Sequence, residues 1–199
     1  MREDPEAFVR QDLEPRFTKT FETSGSTGTP VTTIWTRDDI RRSRAAREAR
    51  SNRWAGASYS MPRATFSGRM VEPDPGSEGP FYRFNIVERQ VYFSAFHLRS
   101  ETAPLYATAL RRHRVKWLSG YAVSFYHLAK FILEQKLNVP PLVAVITTSE
   151  KVTPEMRRVM EDAYQCPVFE EYSTVENIML ATECEHRRLH VSPDVGVVE

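Results

Sequence analysis

Apolar residues are unevenly distributed along the chain, and their spacing predicts most of its elements. Residues 31–35, Val-Thr-Thr-Ile-Trp, are β-branched and aromatic, the composition of a strand. The next stretch opens with Thr36 as a cap and Asp38 and Asp39 in a first turn, and Gly56 suits its end. Ile40, Ala45, Ala49 and Trp54 give this predicted helix only a thin apolar stripe. Residues 56–80 are rich in Gly, Pro and Ser and read as a long surface loop. Residues 81–96 alternate enough for one or two short strands.

From residue 100 the pattern becomes regular. Ser100 can cap a helix reaching about Arg112, and residues 115–118 read as a strand ending at Ser119 and Gly120. Residues 122–137 carry apolar side chains at helical spacing, and Pro140 and Pro141 stop them. Residues 142–147 form a fully apolar strand. Thr153, Pro154 and Glu155 open another helix to about Tyr164, and Cys166 and Pro167 lead into the strand 168–172. Strand, helix, strand, helix, strand with short links predicts an α/β fold: βαβ units forming a mainly parallel sheet flanked by helices. Ligands of such sheets bind beyond the carboxyl ends of the strands. The segments 119–121, 148–151 and 171–176 are therefore expected to meet around one ligand.

Composition adds exclusions. In 199 residues the net charge is +1, so no global field favours nucleic acid or an anionic membrane. No apolar run is long enough for a transmembrane helix, and the charged first residues hold no signal-peptide core. With only Cys166 and Cys184, a reducing cytoplasm is the expected location. The arginines of residues 37–53 fit either an anion-binding face or a solvated helix face; the second is the commoner use of such a run. Cys166, Cys184, His186 and His190 raise the alternatives of a structural zinc site or a core cysteine with surface histidines.

Residues 22–32, ETSGSTGTPVT, combine glycines and hydroxyls just before a strand. The stretch suits either a tight turn or a phosphate cradle of backbone N–H groups and hydroxyls. It is not the P-loop of nucleoside triphosphatases, since Gly25 and Gly28 are too close and no Lys follows.

The segment TSGSTGTP (23–30) resembles the phosphate-binding signature of adenylate-forming enzymes, and YSTVE (172–176) resembles their second signature, Tyr-Gly-x-Ser/Thr-Glu. The texture of FSAFHL, LSGYAVSFYHLAKFI, VITTSEKVTPEMRRVMEDAYQCPVFEEY and ECEHRRLHVSPD is similar to the phenylacetate–coenzyme A ligase branch, in particular its capsular-polysaccharide-biosynthesis group. The resemblance covers most of residues 21–199 and leaves 1–20 as an irregular N-terminal segment.

This resemblance implies ATP-dependent activation of a carboxylic acid to an acyl-adenylate, with coenzyme A as the acceptor. Ser24, Gly25, Ser26, Thr27, Gly28 and Thr29 would hold the ATP phosphates, with Thr27 and Glu176 as the catalytic pair and Glu176 a Mg²⁺ ligand. Thr148, Ser149, Glu150 and Tyr172 would flank the adenine, and His97, Gly120 and Tyr121 would border the acyl pocket. Thr29 replaces a common Lys, Ser173 a Gly, and Val175 a hydroxyl-bearing residue. The family continues past the point corresponding to Glu199 into a ribose-binding Asp, a hinge Arg and a small domain with a catalytic Lys. The chain is therefore expected to be part of the large N-terminal domain. The alternatives are a catalytically incomplete nucleotide-binding module and an Arg-rich nucleic-acid binder.

Overall fold

The computed structural model describes Ala7, Val9, Glu14, residues 17–23 and residues 28–196. Two strands, β1 (Thr18–Glu22) and β2 (Thr32–Thr36), form an antiparallel hairpin. Phe21 and Trp35 pack across it with ring centroids 4.9 Å apart. At its loop end Thr23 N–H donates to the Val31 carbonyl and Val31 N–H donates to Thr23 Oγ1 at 2.9 Å. The hydroxyl-rich loop is thus the connection of a clamped hairpin rather than a linker between domains.

Thr36 ends β2 and caps α1 (Arg37–Arg47) in a capping box: its hydroxyl accepts the Asp39 N–H, and the Asp39 carboxylate accepts the Thr36 N–H. A π-helical turn, Glu48–Asn52, continues α1, and Gly56 ends the segment with a left-handed φ of +71°. The loop read over 56–80 hides a strand, β3 (Arg63–Phe66). Next come β4 (Tyr82–Asn85), β5 (Gln90–Phe93), α2 (Ala103–Arg112), β6 (Trp117–Tyr121), α3 (Ala122–Gln135) and β7 (Ala144–Thr148). The chain proceeds through α4 (Pro154–Tyr164), β8 (Val168–Ser173), β9 (Leu180–Glu183) and β10 (Leu189–Val191).

The main sheet has the order β10-β9-β8-β7-β6-β3-β5-β4. Strands β8, β7, β6, β3 and β5 run parallel, and β4, β9 and β10 add antiparallel margins. The βαβ frame is as the hydrophobic pattern predicts. Two boundaries differ. Ser100 does not cap α2; it binds the Gln135 side chain, and Thr102 is the residue before the helix. Ile86 and Val87, read as part of a strand, are strongly exposed in the turn between β4 and β5.

Alternation along the parallel strands separates two cores. Ala64, Phe66, Leu118, Val145 and Val168 face α2, α3 and α4 and join Tyr106, Phe125, Leu128 and Met160 in the larger one. Trp117, Ala144, Ile146 and Phe169 face the other way and pack on Ala55, Ala57, Tyr59 and Met61, just beyond the π turn. Toward the carboxyl ends this second face changes character. The next residue on the same side is Ser119 after Trp117, Thr148 after Ile146 and Glu171 after Phe169. An apolar floor therefore gives way to a polar rim where the sheet can receive a ligand.

Candidate functional site

The sheet changes direction at β3. From β3 the chain lays β5 on one side, then returns to lay β6 on the other. That is a topological switch point, where open α/β sheets bind ligands at the carboxyl ends of their strands. A cavity of about 310 Å³ opens there, lined from β3, β6 and β7 by Thr65, Ser119, Gly120, Tyr121 and Thr148, and from α1 by Arg47. Gly120 makes the close pairing of β6 with the end of β3 possible. Its φ is +131°, and a Cβ would lie 1.8 Å from the Phe66 carbonyl oxygen.

A second cavity, of about 580 Å³, adjoins it over the ends of β7 and β8. Ser149, Glu150, Lys151, Tyr172 and Ser173 line it, and Ser149 and Glu171 border both cavities. Ser149 holds a φ of +71°, an uncommon conformation for a side-chain-bearing residue. Glu150 accepts the Val123 N–H at 2.8 Å and so satisfies a free donor at the start of α3. Tyr172 is 57% exposed, a free aromatic face at the cavity edge. The segments 119–121, 148–151 and 171–173 thus converge, as the βαβ order predicts.

Beyond Ser173 the chain turns, with Asn177 N–H donating to the Thr174 carbonyl. Glu176 is exposed at the tip of this turn. Trp35 Nε1 donates to the Val175 carbonyl at 2.9 Å, fastening the hairpin to this turn. The two segments that carry the sequence signatures are therefore bonded to each other. Thr174 Oγ1 is buried with no hydrogen-bond partner among the described residues. Ser173, where the resemblance expects Gly, lies in β8 paired with Leu180 and not in a left-handed conformation. No strain attaches to the Ser.

Of the phosphate-loop residues, Gly28 and Thr29 are exposed beside the hairpin end. Ser24, Gly25, Ser26 and Thr27 lie outside the described residues. His97 borders neither cavity. It is 4% exposed and stacks on Phe81 at 4.8 Å. Its Nε2 donates to the Asp74 carbonyl at 2.9 Å, and Nδ1 meets Ser94 Oγ at 2.8 Å. It pins the 67–80 loop to the core.

The four-residue zinc cluster does not form. Among the described residues no group of three or more His, Cys, Asp or Glu side chains could hold a metal ion. Cys166 is packed into the larger core, where burial and then the Glu161 charge push its thiol up to about 12. Cys184 and His190 pair at 3.2 Å across the β9–β10 hairpin, and His186 is exposed between those strands.

Five of the seven arginines of residues 37–53 are engaged with carboxylates. Arg41, Arg44, Arg47, Arg50 and Arg53 pair with Asp38, Glu88, Glu171, Asp194 and Glu48. Arg47 was missed as a site residue. Its Nε donates to Glu171 Oε1 at 2.8 Å, both side chains being largely buried, and it also reaches Ser43 and Asn177. The signal was present in the sequence only as one arginine among many, 124 residues from its partner. Glu48, in the π turn, organises the next loop. Burial pushes its carboxyl up, but hydrogen bonds from Asn52, Ser58 and the Tyr59 N–H outweigh that and hold it below the ordinary range.

No protein-family model matches the chain. It is 29% identical over 146 residues to Protein CapK of Staphylococcus aureus, covering 72% of this chain and 32% of CapK. A 2-hydroxyisobutyryl-CoA ligase, solved with 2-HIB-AMP and CoA in the thioesterification state, superposes with a TM-score of 0.62 at 19% identity, over 96% of this chain and 41% of that one. The anthranilate CoA ligase AuaEII, solved with anthranoyl-AMP, gives 0.60 at 8% identity over 90% of this chain and 36% of that one. The chain spans about a third of the curated relative and about two-fifths of these ligases. Its fold is that of the matched portion of these CoA ligases.

Proposed function

We propose that this chain is the adenylation portion of an acid–thiol ligase of the phenylacetate–coenzyme A ligase type. It activates a carboxylic acid with ATP to an acyl-adenylate that is then passed to coenzyme A. The observation that carries this reading is the Trp35–Val175 hydrogen bond. It holds the hairpin of the hydroxyl-rich loop against the turn of the second signature, at the ligand-binding end of the sheet. Phosphates held by the first would lie near a carboxylate on the second.

The chemistry asks little of acid–base groups. The substrate carboxylate is already ionised and attacks the α-phosphorus of ATP, and pyrophosphate leaves. Catalysis consists of aligning the two reactants and neutralising phosphate charge. Residues 24–29 supply backbone N–H groups and hydroxyls for the phosphates. Tyr172, exposed at the rim of the larger cavity, offers a face for adenine, with Ser149 and Glu150 opposite. The smaller cavity adjoins it and takes the acid. Mg²⁺ fits the oxygen chemistry here, since that ion is commonly held by one or two carboxylates together with substrate phosphates. Glu176 is exposed and has no hydrogen-bond partner among the described residues, so it is free to bind it. Bound there, the ion would offset phosphate charge.

Calorimetric titration of Mg·ATP into the wild type and Glu176→Ala tests this. The wild type should bind, and the variant should bind at least tenfold more weakly, about 1.4 kcal/mol. A folded wild type that takes up no Mg·ATP would sink the reading.

A further inference from the structure

The acid itself can be narrowed from the smaller cavity, an inference that rests on the adenylation reading above. At about 310 Å³ the cavity is near the bottom of the range for small-molecule sites, roughly 300–1,000 Å³. Such sites are predominantly apolar with few polar groups. This one shares that apolar lining, with Trp117 and Ile146 as its floor, but adds an unusual number of polar groups along its rim. Thr65, Ser119 and Thr148 line it from three strands, Tyr59 from the loop after the π turn, and Arg47 and Glu171 as an ion pair.

Several of these groups have unused hydrogen-bonding capacity. Thr65 Oγ1 and Ser119 Oγ are 3.1 Å apart, and Thr65 also accepts from Gln90 at 2.8 Å. Each remains short of what a hydroxyl can make. Tyr59 Oη, Thr148 Oγ1 and Glu171 Oε2 have no protein hydrogen-bond partner among the described residues. An alkyl or phenyl acid filling this space would strip water from these groups and return nothing, at a cost of about 1–3 kcal/mol for each one left unpaired. An additional charge on the acid fits no better. Arg47 and Glu171 already neutralise each other at 2.8 Å, so a charged substituent would have to compete with that pair. A neutral group that both donates and accepts suits all of these partners, and a hydroxyl is such a group.

We infer that the acid activated by this site is a small carboxylic acid carrying one or more hydroxyl groups, not an aliphatic or aryl-acetic acid. Tyr59, Ser119, Thr148 and the free oxygen of Glu171 read its hydroxyls. Trp117 and Ile146 form the apolar floor beneath its carbon skeleton.

The test uses the chain in two steps. Mg·ATP is titrated first. Glycerate, erythronate, propionate, butyrate and phenylacetate are then titrated into the chain with Mg·ATP analogue present, binding being followed by chemical-shift change. Glycerate and erythronate should bind at least tenfold more tightly than propionate and butyrate. In Tyr59→Phe, which keeps the ring and removes only the hydroxyl, the ratio should fall severalfold; in Glu171→Gln it should fall as well. Tyr59→Phe keeps the test open if loss of the Arg47 partner unfolds Glu171→Gln. Binding of Mg·ATP with equal or stronger uptake of propionate, butyrate or phenylacetate, or with uptake of no acid, overturns the inference and leaves the adenylation reading standing. A ratio unchanged in Tyr59→Phe also overturns it. Failure to bind Mg·ATP overturns the adenylation reading and this inference with it.

Discussion

Trp35 and Val175 are 140 residues apart, and a 2.9 Å hydrogen bond from the indole to the Val175 carbonyl joins them. That contact makes the position of one loop depend on the other. Trp35→Phe would keep the packing on Phe21 but lose the donor. Stability should fall by about 1 kcal/mol, the usual worth of one hydrogen bond. Mg·ATP affinity should fall about fivefold on the same scale, as calorimetry would show. Unchanged affinity would mean that the hairpin is held by other contacts.

Gly120 has no tolerated substitute. A methyl group there would enter the Phe66 carbonyl and occupy a φ that L-residues avoid. Gly120→Ala should cost about 3 kcal/mol or more in chemical denaturation, well beyond the effect of a typical surface change. A loss under 1 kcal/mol would show that β3 and β6 can separate without penalty.

Acid should weaken the loop after the π turn. Glu48 and Glu88 are both held below their ordinary value of 4.5, Glu88 chiefly by its hydrogen bond from Arg44. A depressed folded-state value means stability that is complete above the ordinary value and is lost as pH falls through the folded one. The contribution of these two carboxylates should therefore be constant down to about 5 and decline below 4.5, on top of an earlier decline from about 6.5 where His113, held below its ordinary value by burial and then by Arg112, is protonated first in the unfolded chain. Glu48→Gln can no longer accept all three hydrogen bonds. It should lose about 1–2 kcal/mol at neutral pH and show a shallower acid decline. An acid profile identical to wild type would remove Glu48 from this account.

Cys166 should be inert in the native protein. With its thiol pushed from an ordinary 9.0 up to about 12, the thiolate fraction at any pH well below 9 is about a thousandfold lower than in the unfolded chain. Alkylation monitored by mass spectrometry at pH 8 should leave Cys166 unmodified until denaturant is added. Native labelling at the unfolded rate would show that the segment after α4 opens readily.

The parallel frame was legible because its evidence is local. Residues 122–137 and 142–147 show their periods within a single window, and Thr153 with Pro154 announces α4. Strand β3 was hidden for the opposite reason. Arg63-Ala64-Thr65-Phe66 is four residues long, set among Gly, Pro and Ser, and begins with a charge. Arg63 is 3% exposed only because Glu88, Gln90 and the Tyr59 ring and carbonyl surround it, and those partners come from elsewhere in the fold. The site divides the same way. Strand ends and the Tyr172 segment follow from topology. Arg47 becomes a site residue only when α1 is laid across β8. The zinc proposal failed because cysteine and histidine spacing says nothing about which core a cysteine joins. Glu170 and Glu171 behaved as alternation requires, one reaching Arg157 of α4 and the other Arg47 of α1.

The smaller cavity draws its walls from α1, the loop after it, and strands β3, β6, β7 and β8. Its occupant would therefore bridge parts of the chain that diffuse independently once unfolded. Each bound molecule would act as a reversible cross-link, raising the free energy of global unfolding by RT ln(1 + [L]/Kd). At a hundred times Kd that amounts to about 2.7 kcal/mol, comparable with a modest disulfide. In a cell that degrades what unfolds, substrate supply would then set how much of this protein survives as well as how fast it works.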